Sequence, residues 1–199
     1  GAAAALSHTS SLSGNSRLSQ SILAGQGVIM ANSIYQMTDM ANALVHIPRM
    51  NPDCRIAIIT LSGGAGILAC DALERQGLPV ADLSDETREK LKKIFPPWMP
   101  PANPIDLFPA MAMRGRMAAF KGALDAIMAD DSLDALVIHI VAGLEDSTMD
   151  LDDLKQMATA CGKTIVFWLM GIKKEKEKFA RAARHAGFTV YSDVTEIAQ

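Results

Sequence analysis

Two stretches of the chain combine residue types that could handle a phosphoryl group. The first is LSHTSSLSGN, residues 6–15, where one imidazole, His8, sits among small and hydroxyl side chains ahead of a helical pattern. Small neighbours leave room around the ring, and hydroxyls donate to an anion. The helix start behind them offers unpaired N–H groups with a positive partial charge. An imidazole so placed could serve as a nucleophile, a general base or a phosphoryl acceptor. The bland alternative is a polar loop whose serines cap the helix and whose histidine is incidental. The second stretch is SGGAG, residues 62–66, between an apolar run and a helical pattern. Its glycines let backbone amides approach a phosphate, and the helix dipole favours negative charge. It is neither a dinucleotide fingerprint, lacking a further glycine three residues on, nor a P-loop, lacking Gly-Lys-Ser/Thr. Its alternative is a tight strand-to-helix turn without a ligand.

Other candidates read as structural. In ANPIDLF, residues 102–108, Asn103 and Asp106 flank a proline and are expected to make turn hydrogen bonds. His139 lies in an apolar run and reads as a satisfied core residue, while His46 and His185 fall near helix ends, where positive charge is favoured. Asp150, Asp152 and Asp153 read as a helix cap and first turn, and no metal site is expected. Lys173, Lys174, Lys176 and Lys178, with Glu175 and Glu177 among them, read as a solvated helix face.

The elements that must position these residues follow from periodicity. Residues 55–60, 79–83, 135–141, 164–170 and 188–191 are β-branched or apolar runs expected as strands. Helical patterns fall at 67–76, 84–93, 113–129, 150–160 and 173–185, with a capping box at Asp193 and Glu196 opening a last helix. Such alternation implies a doubly wound parallel α/β sheet with right-handed crossovers, and the flavodoxin-like order 2-1-3-4-5 is the natural five-strand solution. The first fifty residues do not fit that unit. They hold a helix at 15–24, a short strand at 28–31 and a helix at 33–47 with Ser33 and Gln36 as its capping box. Residues 1–50 are therefore expected to be the C-terminal part of a preceding α/β domain, and 51–199 a complete flavodoxin-like domain. The alanine-rich start without an initiator Met points to a piece of something longer.

Composition excludes several classes. The chain has 199 residues, 49% of them hydrophobic and 21% charged, which suffices for a real core and is too apolar for disorder. No apolar run approaches a membrane span, and no secretory leader is recognisable. A net charge of −3 argues against a nucleic-acid binder. Three scattered cysteines fit no disulfide framework, and a reduced cytoplasmic setting is expected.

Taken together and in order, the motifs resemble a known family. SHTSSLSG, residues 7–14, resembles the phosphohistidine loop of the NDP-forming acyl-CoA synthetases, usually SHTGSLAG or SHTGALAG. RIAIITLSGGAGILACDALE, residues 55–74, is similar to that family's RVAIVTNAGGPGVLAADALE segment. LSDETREKL at 83–91 and NPID at 103–106 match its next stretches. The family includes ADP-forming acetyl-CoA synthetase and is related to succinyl-CoA synthetase. The resemblance implies a phosphoryl relay between acyl phosphate and a nucleoside diphosphate, with His8 as the acceptor. Thr9, Ser10 and Ser11, with Gly63, Gly64, Ala65 and Gly66, would cradle the phosphate. Ser10 stands where the family usually has Gly, and Ser13 where it has Ala. The implied substrates are acyl-CoA, phosphate and nucleotide. CoA, ATP or ADP, and Mg belong to the parent enzyme, with none held tightly by this segment. The implied partners are a CoA-binding Rossmann domain and an ATP-grasp domain or subunit, in an oligomeric assembly. A sensing module of the same fold, as in fused acetyltransferases, is the alternative function, and a flavin binder a third.

Overall fold

A computed structural model describes residues 15–51, 53–143 and 149–198. These residues cluster into two compact units, the division falling between Met40 and Ala41. The first unit opens with α1 (Ser16–Gly25), capped by Asn15, whose side chain accepts from the Arg17 and Leu18 amides. Ser33 caps α2 (Ile34–His46) as its sequence foretold, its hydroxyl accepting from the Gln36 amide at 3.0 Å. The strand expected at 28–31 does not form. Val28 donates its N–H back to Leu23 at 3.0 Å, closing α1, and Ile29 is 64% exposed. Among the described residues it pairs with no strand, and a lone extended segment is not stable by itself.

The second unit carries a five-stranded, all-parallel sheet in the order β2-β1-β3-β4-β5. Its central strands are β1 (Ile56–Thr60), β3 (Ala135–Ala142) and β4 (Thr164–Gly171). Their continuous apolar runs suit strands covered on both faces. Helices α3 (Gly63–Glu74) and α9 (Val194–Ile197) cover one face, packing Ala65, Ala69 and Leu73 on Ile58, Val137 and Trp168. The other face buries Leu91, Leu107, Ile127, Leu136 and Phe167 beneath α4 (Asp85–Lys92), α5 (Phe108–Arg114), α6 (Arg116–Met128), α7 (Leu151–Cys161) and α8 (Lys173–His185). At the far edge, β5 (Thr189–Tyr191) pairs with β4. The helix expected over 113–129 is two helices, broken at Gly115, whose φ of 78° is left-handed and favours glycine.

The second strand differs from its sequence pattern. Of residues 79–83, only Val80 bridges Ile56, and the strand proper is β2 (Ile105–Asp106), aligned with Ile59 and Thr60. Between these two short pairings the Asn103 side chain substitutes for backbone. Its Oδ1 accepts from the Ile58 amide at 2.9 Å, and its Nδ2 donates to the carbonyls of Ile56 and Ala81 at 2.9 and 2.8 Å. Pro79 brings no N–H to the ladder. Three residues past Ala81, Ser84 is held away by Asp130, which accepts from its hydroxyl at 2.8 Å.

Asp130 is a buried carboxylate that ties the end of α6 to the start of α4. It also accepts from the Thr87 hydroxyl at 2.6 Å and the Ser132 amide at 2.9 Å. Burial pushes its pKa up, but the hydroxyls of Ser132, Thr87 and Ser84 outweigh this and hold it well below the usual carboxylate range. Asp130→Ala is expected to destabilise the chain by roughly 2–3 kcal/mol, because charged hydrogen bonds and buried donors are lost together. A urea midpoint equal to that of the parent would contradict this.

Candidate functional site

Every connection in a parallel sheet leaves a loop at the carboxyl end of its strand. Where successive strands depart to opposite sides, the loops part and open a crevice. Here that point is the carboxyl end of β1, since β2 lies on one side of it and β3 on the other. Ser62 to Gly66 sit there. The glycines are not a loop before the helix, as their sequence suggested, but its first turn, because α3 starts at Gly63 and not near residue 67.

Ser62 is the N-cap, with extended backbone, yet its side chain makes no capping hydrogen bond. The first amide to close the helix is that of Gly66, donating to the Ser62 carbonyl at 3.0 Å. The amides of Gly63, Gly64 and Ala65 therefore have no partner within the helix. Gly63 and Gly64 are exposed, whereas Ala65 and Gly66 are buried. The positive end of the helix macrodipole, with two open amides, faces outward at the crevice.

Each glycine has its own reason. A Cβ on Gly66 would fall 2.9 Å from Cγ of Pro104 and 3.3 Å from Cγ2 of Thr60. One on Gly63 would lie 3.1 Å from the Asp106 carboxylate, while Gly64 faces open space beyond Ser62. Gly66→Ala is expected to push α3 off the β2 loop and destabilise by about 1–3 kcal/mol. Gly64→Ala should be neutral or slightly stabilising. Equal thermal midpoints for the two variants would refute the contrast.

Residues not singled out for chemistry in the sequence support this turn. Thr60, the last residue of β1, donates its hydroxyl to the Ser62 carbonyl at 2.9 Å and accepts from the Ser62 amide at 3.1 Å. The same oxygen lies 3.2 Å from Nδ1 of His139 on β3. His139 is buried, its ring tilted 40° against Trp168 with centroids 4.5 Å apart, and its Nε2 has no hydrogen-bond partner among the described residues. It is thus a core histidine as expected, but only half satisfied. Desolvation lowers its pKa to about 4, so the ring is neutral at ordinary pH. Asp106 does make the expected turn hydrogen bond, accepting from the Phe108 amide at 3.1 Å. Its other oxygen lies against Gly63, beside the helix start.

His8, Thr9, Ser10 and Ser11 lie outside the described residues, so only the Gly63–Gly66 half of the expected cradle has a described geometry. Among the described residues no three His, Cys, Asp or Glu side chains converge to hold a metal, and no helix is long and apolar enough to cross a membrane. A cavity of about 210 Å³ opens at the opposite ends of the strands, lined by Lys155, Lys163 and Thr189 among others. None of the expected site residues lines it.

The chain matches no protein-family model. It is 32% identical over 194 residues to acetate–CoA ligase [ADP-forming] I of Archaeoglobus fulgidus, covering 97% of this chain and 26% of that one. It is 40% identical over 111 residues to acetate–CoA ligase [ADP-forming] I subunit alpha of Pyrococcus furiosus, covering 54% of this chain and 23% of that one. Its fold is similar to that of acetyl-coenzyme A synthetase 1 of Candidatus Korarchaeum cryptofilum, solved with phosphate and ADP. The TM-score is 0.73 at 22% identity, over 100% of this chain and 42% of that one. The chain spans about a quarter of the length of these curated relatives. With the glycine turn, the parallel sheet and near-complete alignment pointing the same way, the chain belongs to the ADP-forming acyl-CoA synthetase family.

Proposed function

We propose that this chain is the part of an ADP-forming acyl-CoA synthetase in which a phosphoryl group passes through His8. The observation that carries the reading is the uncapped start of α3, with Gly63 and Gly64 exposed at the carboxyl end of β1. A phosphoryl dianion is stabilised by such amides without any lysine or arginine. Thr9, Ser10 and Ser11 are assigned to the same phosphate by the family resemblance of the SHTSSLSG stretch. Ser10, in place of the family's usual glycine, adds a hydroxyl donor.

In this reading, acyl-CoA and phosphate give acyl phosphate and free CoA. An imidazole nitrogen of His8 then attacks phosphorus, the bond from phosphorus to the acyl oxygen breaks, and the carboxylate leaves. Phosphohistidine passes its phosphoryl group to ADP, and each step reverses when an acid is activated. Nucleotide and Mg²⁺ are assigned to an ATP-grasp domain or subunit, and CoA to a Rossmann domain, which together form the partners of this segment.

The test uses the full-length parent enzyme incubated with labelled ATP. Acid-labile, base-stable label on the wild type and none on His8→Asn is the expected result, together with loss of ligase turnover by at least about a thousandfold. Label persisting in His8→Asn would place the acceptor elsewhere. An unlabelled, inactive wild type would favour the sensing module.

A further inference from the structure

We propose that His139 is the positioning residue of the phosphate turn, holding Ser62 through the Thr60 hydroxyl as a neutral imidazole with its proton on Nδ1. The inference rests on the reading of the start of α3 as a phosphate cradle, and it follows from counting hydrogens. A threonine hydroxyl has one proton and two lone pairs. Thr60 has three partners: the Ser62 carbonyl at 2.9 Å, the Ser62 amide at 3.1 Å and Nδ1 of His139 at 3.2 Å. A carbonyl can only accept, so the hydroxyl proton goes to the Ser62 oxygen. The Ser62 amide can only donate, so it takes one lone pair. The remaining lone pair calls for a donor, and Nδ1–H is the group that faces it.

The other side of the ring agrees. Nε2 is buried without a partner among the described residues, and in this tautomer it carries only a lone pair. The opposite tautomer would leave an N–H there with no acceptor and draw the Thr60 proton away from the Ser62 carbonyl. A buried donor left unpaired is costly, so both losses select against it. The imidazolium would add a charge to the same enclosed site against Trp168.

Mechanically, the ring is the fixed point. His139 is built into β3, opposite Trp168 of β4, and its imidazole lies tilted against that indole. A fixed ring orients the Thr60 hydroxyl, and one oxygen then grips Ser62 at both its N–H and its C=O. Ser62 is the residue whose own side chain leaves the helix uncapped. Its backbone direction therefore sets where the Gly63 and Gly64 amides point. The hydroxyl bonds Ser62 alone, so it orients the helix start while the amides of Gly63 and Gly64 keep no side-chain cap.

The test is NMR of the full chain with ¹⁵N-labelled imidazole, joined to a titration with inorganic phosphate. The His139 nitrogens should report a protonated Nδ1 and a bare Nε2, and the Gly63 and Gly64 amides should shift with phosphate. His139→Phe fills the same space without a donor, and Thr60→Val keeps the shape without the hydroxyl. Each should weaken phosphate binding about three- to tenfold and speed exchange of the Ser62 amide, with the double variant no worse than either alone. His139→Asn, whose amide can donate in place of Nδ1–H, should recover part of the loss. A protonated Nε2, additive effects in the double variant, or native phosphate affinity and Ser62 exchange in His139→Phe would each overturn the proposal. Phosphate leaving the wild-type amides unmoved would instead sink the cradle. The tautomer and the Ser62 exchange rates would still judge the role of His139.

Discussion

Asn103→Ala is expected to destabilise the chain by about 3 kcal/mol. Its amide group makes three hydrogen bonds, all to backbone: from the Ile58 N–H, and to the carbonyls of Ile56 and Ala81. Ile58 is fully buried, so its N–H cannot turn to water when Asn103 is truncated. An orphaned donor inside the sheet costs about 1–3 kcal/mol, and the two carbonyls lose a further net hydrogen bond each. Asn103→Asp tests the geometry more sharply. A carboxylate can still accept from Ile58, but it cannot donate to Ile56 and Ala81, and it brings a charge to the sheet edge. It should be no better than alanine. For a chain of this length the loss corresponds to a fall in thermal midpoint of about 6–12 °C. A midpoint within about 2 °C of the parent for both variants would mean that the amide does not bridge the strands in solution.

Acid should destabilise the chain before its carboxylates titrate. Burial lowers the His139 pKa from 6.5 to about 4, while the unfolded chain keeps the ordinary value. Between these two values the unfolded state binds more protons than the folded one, so stability falls as pH falls. The contribution is intact above pH 6.5 and is lost at about 1.4 kcal/mol per pH unit below it, so that about 3 kcal/mol has gone once pH reaches 4. The acidic side adds its own loss lower down. The Arg55 guanidinium holds the Asp134 carboxyl at about 2, and Asp130 is also depressed, so both give up stability only as pH drops below the usual carboxylate value. Urea unfolding at intervals from pH 7 to 4 measures the slope. His139→Phe should flatten it across that window while leaving the steeper fall below pH 4. An unchanged slope in the variant would assign the proton uptake to another group.

The parallel core was legible because buried parallel strands announce themselves as unbroken apolar runs, and the bounds of α8 fell where its charge pattern placed them. The second strand was not legible for a physical reason. Two backbone residues and one asparagine side chain do the work of a strand, and a side-chain amide leaves no periodic trace. The start of α3 was misjudged because three of its first four residues are glycines, which have low helix propensity. Close approach to Pro104 and Thr60, a tertiary fact, requires glycine at position 66. The site shows the same division. Gly63 and Gly64 are singled out by composition and by their place after an apolar run, and that place at the end of β1 is what the structure describes. Thr60 and His139, 79 residues apart, meet only because β1 and β3 are neighbours, and nothing local in the sequence records their hydrogen bond.

The patchwork beside β1 also bears on how this sheet meets other chains. A sheet invites strand addition along any outer strand that leaves a long row of unpaired N–H and C=O groups. Here one border is a two-residue strand and the other a three-residue strand, both buried except for Asp106, which is half-buried. Neither border offers enough ladder to template a foreign strand. The sheet is thereby protected against edge-to-edge aggregation, and recognition by another protein is left to side-chain surfaces.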